Sequence, residues 1–230
     1  IGIGTTTPES RLQVVGNITN TASSQFAPTL IGSATTMPSP QGVYISGKYA
    51  YTVGGANTFQ IFDISTSSPA LVASTSVSDT PRELFVSGRY VYVVAGANSL
   101  NILDISNPSA PTIIASSTTG ATPVSVYVSG RYAYVVNQAS NNFQIFDISN
   151  PSSPVVVGSA VNTANANSIT VSGRYAYTAN ADHSLRIFDI SNPSSPVSVA
   201  ALGFTKKDYN LRLALGCLKT LKKEIPVHGG

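Results

Sequence analysis

The chain has 230 residues, a formal net charge of +3 and an isoelectric point near 9.0. The excess charge is local: residues 1–205 hold seven basic and eight acidic side chains, a net −1, whereas 206–230 hold six basic and two acidic, a net +4. A body without clustered cations is not an electrostatic nucleic-acid binder, and a single cysteine, Cys217, excludes both a disulfide framework and a cysteine-rich metal site.

Hydrophobic residues make up 42% of the chain and charged ones only 10%, so this is a folding polypeptide whose solubility rests on Ser, Thr and Asn. No stretch approaches the roughly 20 apolar residues of a membrane-spanning helix. The chain opens Ile1-Gly2-Ile3 rather than on Met, which fits a processed product or a piece of a longer protein.

Residues 1–27 read as a Gly/Thr-rich segment or linker with one short strand, Leu12–Val15, and the only N-x-Ser/Thr site, Asn17-Ile18-Thr19. Next, Ala27-Pro28-Thr29-Leu30-Ile31-Gly32-Ser33 matches Ala110-Pro111-Thr112-Ile113-Ile114-Ala115-Ser116 further on. That match predicts the outer strand of a unit preceding the repeats.

From residue 28 to residue 201 the chain repeats itself. Four units carry one pattern, which in the third reads VSGRYAYVVNQASNNFQIFDISNPSSPVVVGS from Val128. Glycines fall at Gly47, Gly88, Gly130 and Gly173, spaced by 41, 42 and 43 residues; aspartates fall at Asp63, Asp104, Asp147 and Asp189, spaced by 41, 43 and 42. Val, Ile, Tyr and Phe at alternating positions predict four strands per unit, in the third Pro123–Val128, Tyr132–Val136, Phe143–Asp147 and Val155–Gly158. Ser129-Gly130-Arg131 is a tight-turn signal, and the two prolines of Ser149 to Pro154 end a strand. A unit of about 42 residues with four antiparallel strands is a propeller blade, so the predicted class is all-β: a β-propeller-like array of four visible blades.

A side chain that recurs in every blade has a structural job, since catalysis needs a group only once. The repeated aspartates are expected to accept hydrogen bonds from backbone N–H groups of the following turn, or to pair with Lys48, Arg89, Arg131 and Arg174. Tyr49, Tyr90, Tyr132 and Tyr175 each stand two residues before a second tyrosine, so each pair shares a strand face and is expected to fill the seam between blades. Phe62, Phe146, Phe188 and Leu103 are expected at the same kind of seam.

These units, with ISGKYAY from Ile45 and IFDISNPSSPVVVG from Ile145, resemble the LVIVD-type repeat of bacterial and archaeal exported or surface propellers. The resemblance implies a propeller displayed outside the cell, often as one module of a larger protein and usually with more than four blades. The opening run from Ile1 to Val14 resembles a short motif of phage tail-fibre and surface-fibre proteins, which implies an attached stalk or head. Two arrangements stay open: a closed four-blade ring with an extra edge strand, or a piece of a larger or open array whose end faces something else covers. The second is the expectation here.

After residue 201 the pattern breaks. Residues 202–230 mix leucines with lysines, are interrupted by Gly216 and stopped by Pro226, and fit a capping helix, a membrane-surface segment or a non-native ending.

No catalytic set emerges. His183 and His228 with one cysteine make no zinc site, and Val53-Gly54-Gly55-Ala56-Asn57 lacks the lysine of a phosphate loop. No cofactor or metal is expected. The non-repeated acids Asp79, Glu83 and Asp182 keep open a secreted hydrolase or lyase with a rim active site. Candidate ligand contacts lie where the repeats disagree, at Asn57, Asn98, Gln138, Asn141, Asn142, Asp182 and His183. The expected function is that of a non-catalytic extracellular structural or binding module. Its expected partners are other subunits, further blades of a larger protein or surface glycans, with no nucleic acid and no integral membrane span.

Overall fold

The computed structural model describes residues 2–3, 13–14, 30–35, 37–162 and 165–203. The basic tail, and the helix or membrane segment considered for it, lie outside the described residues.

The chain divides into two compact units, residues 1–33 and 34–230. In the first, β1 (Gly2–Ile3) pairs in parallel with β2 (Gln13–Val14), Gly2 opposite Gln13. The outer strand expected over residues 27–33 is not found in its described part: Leu30–Ser33 is in no strand, and Leu30 is 85% exposed. An outer strand exists by pairing with the third strand of its own blade, and Leu30–Ser33 pairs with no described strand.

The second unit holds four antiparallel sheets, each a meander of four consecutive strands. Blade 1 comprises β3 (Pro40–Ser46), β4 (Tyr49–Gly54), β5 (Thr58–Asp63) and β6 (Ala70–Ser76). Blade 2 comprises β7 (Pro81–Ser87), β8 (Tyr90–Ala95), β9 (Ser99–Asp104) and β10 (Thr112–Thr118). Blade 3 comprises β11 (Pro123–Ser129), β12 (Tyr132–Asn137), β13 (Asn142–Asp147) and β14 (Val155–Val161). Blade 4 comprises β15 (Ala166–Ser172), β16 (Tyr175–Asn180), β17 (Ser184–Asp189) and β18 (Val197–Gly203).

Local chemistry dictates this meander. The first hairpin of each blade turns through Gly47, Gly88, Gly130 or Gly173, at φ of 58°, 59°, 57° and 59°, where a side chain would be strained. Three blades begin at a proline, Pro40, Pro81 or Pro123, whose missing N–H is tolerated at the first residue of an edge strand. The register of every first strand then shifts once, between Pro40 and Gly42, Pro81 and Glu83, Pro123 and Ser125, and Ala166 and Ser168. Such irregularities increase local twist, which lets the blades fan apart toward their outer strands.

Blades stack face to face through three apolar cores. The forward face of blade 1 (Tyr51, Val53, Phe59, Ile61) meets the backward face of blade 2 (Leu84, Val86, Val91, Leu103). Tyr92, Val94, Leu100 and Ile102 meet Val126, Val128, Ala133 and Phe146 in the same way. Tyr134, Val136, Phe143 and Ile145 then meet Ile169, Val171, Ala176 and Phe188. The seam is thus a tyrosine of one blade facing the phenylalanine or leucine of the next. The first strands β3, β7, β11 and β15 pack side by side in that order, with no comparable packing between β15 and β3. Four blades therefore form an open series with two ends.

Candidate functional site

Three surfaces of the blade series carry enough polar or apolar chemistry to act: the loop rim, the inner cleft and the two end faces.

The rim holds all seven candidate residues from the loops, and it uses most of them to tie blades together. The carbonyls of Asn57, Asn98 and Asn141 accept the N–H of Val77, Thr119 and Asn162 at 2.8, 2.9 and 2.7 Å, fastening each hairpin to the connection into the next blade. Asn57 and Asn141 sit at φ 54° and 48°, in the left-handed region that asparagine enters more readily than most residues. His183 occupies the same hairpin position in blade 4, at φ 63°. Gln138 donates from Nε2 to Asn167 Oδ1 at 2.8 Å, and Asn142 Oδ1 accepts from Asn137 Nδ2 at 2.9 Å. Asp182 accepts from the Ser184 amide at 3.1 Å and pairs with Arg186 at 3.2 Å.

At the opposite hairpins lie the repeated charges. Asp63 pairs with Lys48 at 3.0 Å, and Asp104, Asp147 and Asp189 pair with Arg89, Arg131 and Arg174. Each aspartate also accepts the amide two residues on, from Ser65, Ser106, Ser149 and Ser191, at 2.8–2.9 Å. The arginines hold Asp104 and Asp189 at a pKa of about 2, with the serines assisting. Asp63 is also at about 2, there chiefly through Ser65 and secondarily through Lys48. Every basic side chain also lies over the ring of the next residue, Tyr49, Tyr90, Tyr132 or Tyr175, at 5.1–5.4 Å. All of these groups sit at the surface, where such pairs shape turns more than they stabilise the fold.

The inner cleft, about 550 Å³, is bordered by the first strands of all four blades. Tyr44, Phe85 and Tyr127 form a ladder across three of them, with ring centroids 5.1 and 4.9 Å apart. Glu83, which sequence reasoning singled out only as a non-repeated acid, reaches from β7 to the next blade and accepts the Val126 amide at 2.8 Å. Burial pushes its carboxyl pKa up, while hydrogen bonds from Ser125 and Val126 pull the other way.

The three non-repeated acids serve separate neighbours. Asp79 accepts the amides of Thr80 and Ala97 at 2.8 and 3.0 Å, Glu83 spans blades 2 and 3, and Asp182 closes the last hairpin. None shares a hydrogen-bond partner with another. Among the described residues no three His, Cys, Asp or Glu side chains cluster as a metal site would require, and no helix is long and apolar enough to cross a membrane.

The end faces are open only in part: Ala50, Thr52 and Phe62 on the backward face of blade 1 and Ile187 on the forward face of blade 4 are buried like their interior counterparts, and the rest differ by exposure. On the backward face of blade 1, Val43 is 67% and Ile45 54% exposed. Their counterparts Leu84, Val126 and Ile169, and Val86, Val128 and Val171, are all buried. On the forward face of blade 4, Ala179 is exposed and Tyr177 and Leu185 are half-buried. There the equivalent Val53, Val94 and Val136, Tyr51, Tyr92 and Tyr134, and Phe59, Leu100 and Phe143 are buried.

Comparison with solved structures finds this architecture elsewhere. The computationally designed Ika4 protein matches with a TM-score of 0.59 at 10% identity, over 69% of this chain and 96% of Ika4. A functionally unknown protein from Desulfotomaculum acetoxidans matches with a TM-score of 0.64 at 16% identity, over 74% of this chain and 58% of that one. The designed Ika8 protein matches with a TM-score of 0.57 at 11% identity, over 73% of this chain and 53% of Ika8. Identities this low speak for the fold alone. No curated protein matches. The LVIVD repeat model matches residues 39–77, 81–119, 122–163 and 164–201, one match to each blade, and the chain belongs to the LVIVD repeat family.

Proposed function

We propose that the chain is a non-catalytic structural or binding module that works outside the cell and makes protein contacts through the end faces of its blade series. One observation carries this reading: Val43 and Ile45 at one end and Ala179 at the other are exposed, and Leu185 is only half-buried, where the equivalent residues of the interior junctions are buried. Apolar faces of that kind are costly to leave in water and mark interaction surfaces. The extracellular setting rests on the family resemblance and on the fibre-like opening segment. Glycan contact would use the rim, where most of the candidate polar groups already serve the protein's own connections.

The reading is tested on dilute protein with an apolar fluorescent dye. Wild type is expected to bind it, and Val43→Asp with Ile45→Asp to bind clearly less while unfolding at the same temperature. A dye signal unmoved by these changes overturns the reading. Turnover of ester, glycoside or polyuronate substrates that disappears in Glu83→Gln or Asp182→Asn overturns it in favour of the hydrolase or lyase.

A further inference from the structure

The interior junctions share a polar feature besides their apolar cores. In the first strand of each blade, five residues before the turn glycine, stands a residue that addresses the next blade: Gly42, Glu83, Ser125 and Ser168. Glu83 Oε2 accepts the Val126 amide at 2.8 Å, and Ser125 Oγ accepts the Ile169 amide at 3.2 Å. Gly42 has no side chain, and a Cβ at this position would lie 3.3 Å from Glu83 Cα. Ser168, in the last blade, is exposed and holds the acceptor position with no blade in front of it.

The matching donor position is at the other end of the series. Val126 and Ile169 stand opposite Val135 and Thr178 of their second strands, and Val43 stands opposite Thr52 in the same register. The Val43 amide therefore occupies the place of the two that donate across interior junctions. Blade 4 presents an acceptor, a tyrosine and small-to-medium apolar groups; blade 1 presents the amide, Val43 and Ile45. Along its first two strands, where these residues are exposed, each end presents one half of a junction whose polar bond the molecule already makes twice.

Among the described residues β15 and β3 share no junction like those between neighbouring blades, and Val43, Ile45, Ser168 and Ala179 stay exposed. We infer that a second copy of this chain occupies both ends, blade 4 of each on blade 1 of the other, closing a twofold ring of two four-blade series. The inference rests on the reading of the ends as protein-contact surfaces. It adds the occupant, the head-to-tail polarity and a bond from the Val43 amide to Ser168 Oγ. A twofold ring is the smallest that closes two unlike ends, and closure leaves no face from which a filament grows.

The experiment is sedimentation or light scattering of the full 230-residue chain from about 0.1 to 100 µM. The expected mass is twice the 23.9 kDa chain. Val43→Asp with Ile45→Asp, or Leu185→Asp, is expected to give monomers, because a head-to-tail ring loses both junctions when one end is spoiled. Mixed together, the two variants keep one good junction and are expected to form a one-to-one dimer. Ser168→Ala is expected to weaken dimerisation about fivefold without changing the fold. Monomeric wild type at the highest concentration overturns the inference and leaves the dye test of the contact surfaces standing on its own. Larger open assemblies overturn closure, and dimers that survive in either end variant overturn the head-to-tail polarity. Should the Asp variants unfold, Val43→Ser and Ser168→Ala are read in the same way.

Discussion

Phe143 of the third blade and Phe188 of the fourth meet edge to face across their junction, ring centroids 4.9 Å apart and planes at 74°. Neither ring is appreciably exposed. Edge-to-face packing places the positive rim of one ring against the negative face of the other, adding to the apolar burial.

Phe143→Ala therefore removes a ring on which both blades pack. The expected cost is about 3–5 kcal/mol, typical of a buried phenylalanine that leaves a cavity. In a nearest-neighbour stack the damage falls on the terminal blade, which has only this junction. Hydrogen exchange is expected to show β15 to β18 opening before β3 to β14, and uniform loss of protection throughout the series would contradict this.

Asp104 has two jobs that substitution separates. Asn retains an oxygen for the Ser106 amide but gives up the pair with Arg89, whereas Ala loses both. The Ala variant is expected to lower Tm by about 2–4 °C and the Asn variant by clearly less. Equal losses would mean that the ion pair carries the whole effect.

Acid should act through the same residues. Asp63, Asp104 and Asp189 have folded pKa values near 2, below their ordinary value, so their contribution is present above the ordinary carboxylate range. It is lost as pH falls through that range toward 2. Replacing all three with Asn is expected to lessen the fall in Tm between about pH 5 and pH 2. An unchanged acid slope would show that other carboxylates govern it.

Glu83 has the opposite sign. Its folded pKa is raised by burial, so folding favours the protonated form, and stability declines as pH rises through the raised value. Glu83→Gln stays neutral and keeps an oxygen for the Val126 amide. The variant is expected to melt above wild type near pH 8 and together with it near pH 4. A variant less stable at pH 8 would mean that the charge itself is needed.

Gly96 and Gly130 share a left-handed backbone, φ 56° and 57°, but not their surroundings. A Cβ on Gly130 would meet nothing within 4 Å; one on Gly96 would lie 1.6 Å from Asp79 Oδ2. Gly130→Ala is expected to cost about 1 kcal/mol, from the backbone alone. Gly96→Ala is expected to lower Tm further, because the Asp79 carboxylate must also leave the Ala97 amide. Thermal unfolding of the two variants side by side reads the difference.

The blades were legible because each repeats a turn glycine, an aspartate and alternating apolar residues at fixed offsets. The strands expected in the third unit match β11, β12 and β13 to within a residue. The fourth was read as ending at Gly158, yet β14 continues to Val161, because Ser159-Ala160-Val161 pairs with Asn142 to Gln144 although its composition is loop-like. Leu30 to Ser33 failed in the other direction: the sequence has the form of an outer strand, but pairing depends on a neighbour that no local pattern supplies. The role of Glu83 was hidden for a related reason. Its position holds Gly, Glu, Ser and Ser in the four blades, so only the shared offset from the turn glycine marks it. Exposure of the ends is likewise absent from any single repeat, since Val43 and Leu84 are the same kind of residue and differ only in what stands before them.

Hairpins fasten to the next connection by one carbonyl, at Asn57, Asn98 and Asn141, and every seam uses the same few side chains. The apolar part of a seam is therefore much the same from blade to blade, whereas the polar contact across it changes from Gly42 to Glu83 to Ser125. Duplication or deletion of one unit in the gene would keep the apolar seams in kind and change which polar residue meets the next blade, and no single blade encodes how many there should be. The count is then set by geometry around the axis, and a change in it asks for redesign chiefly at that one junction-facing position.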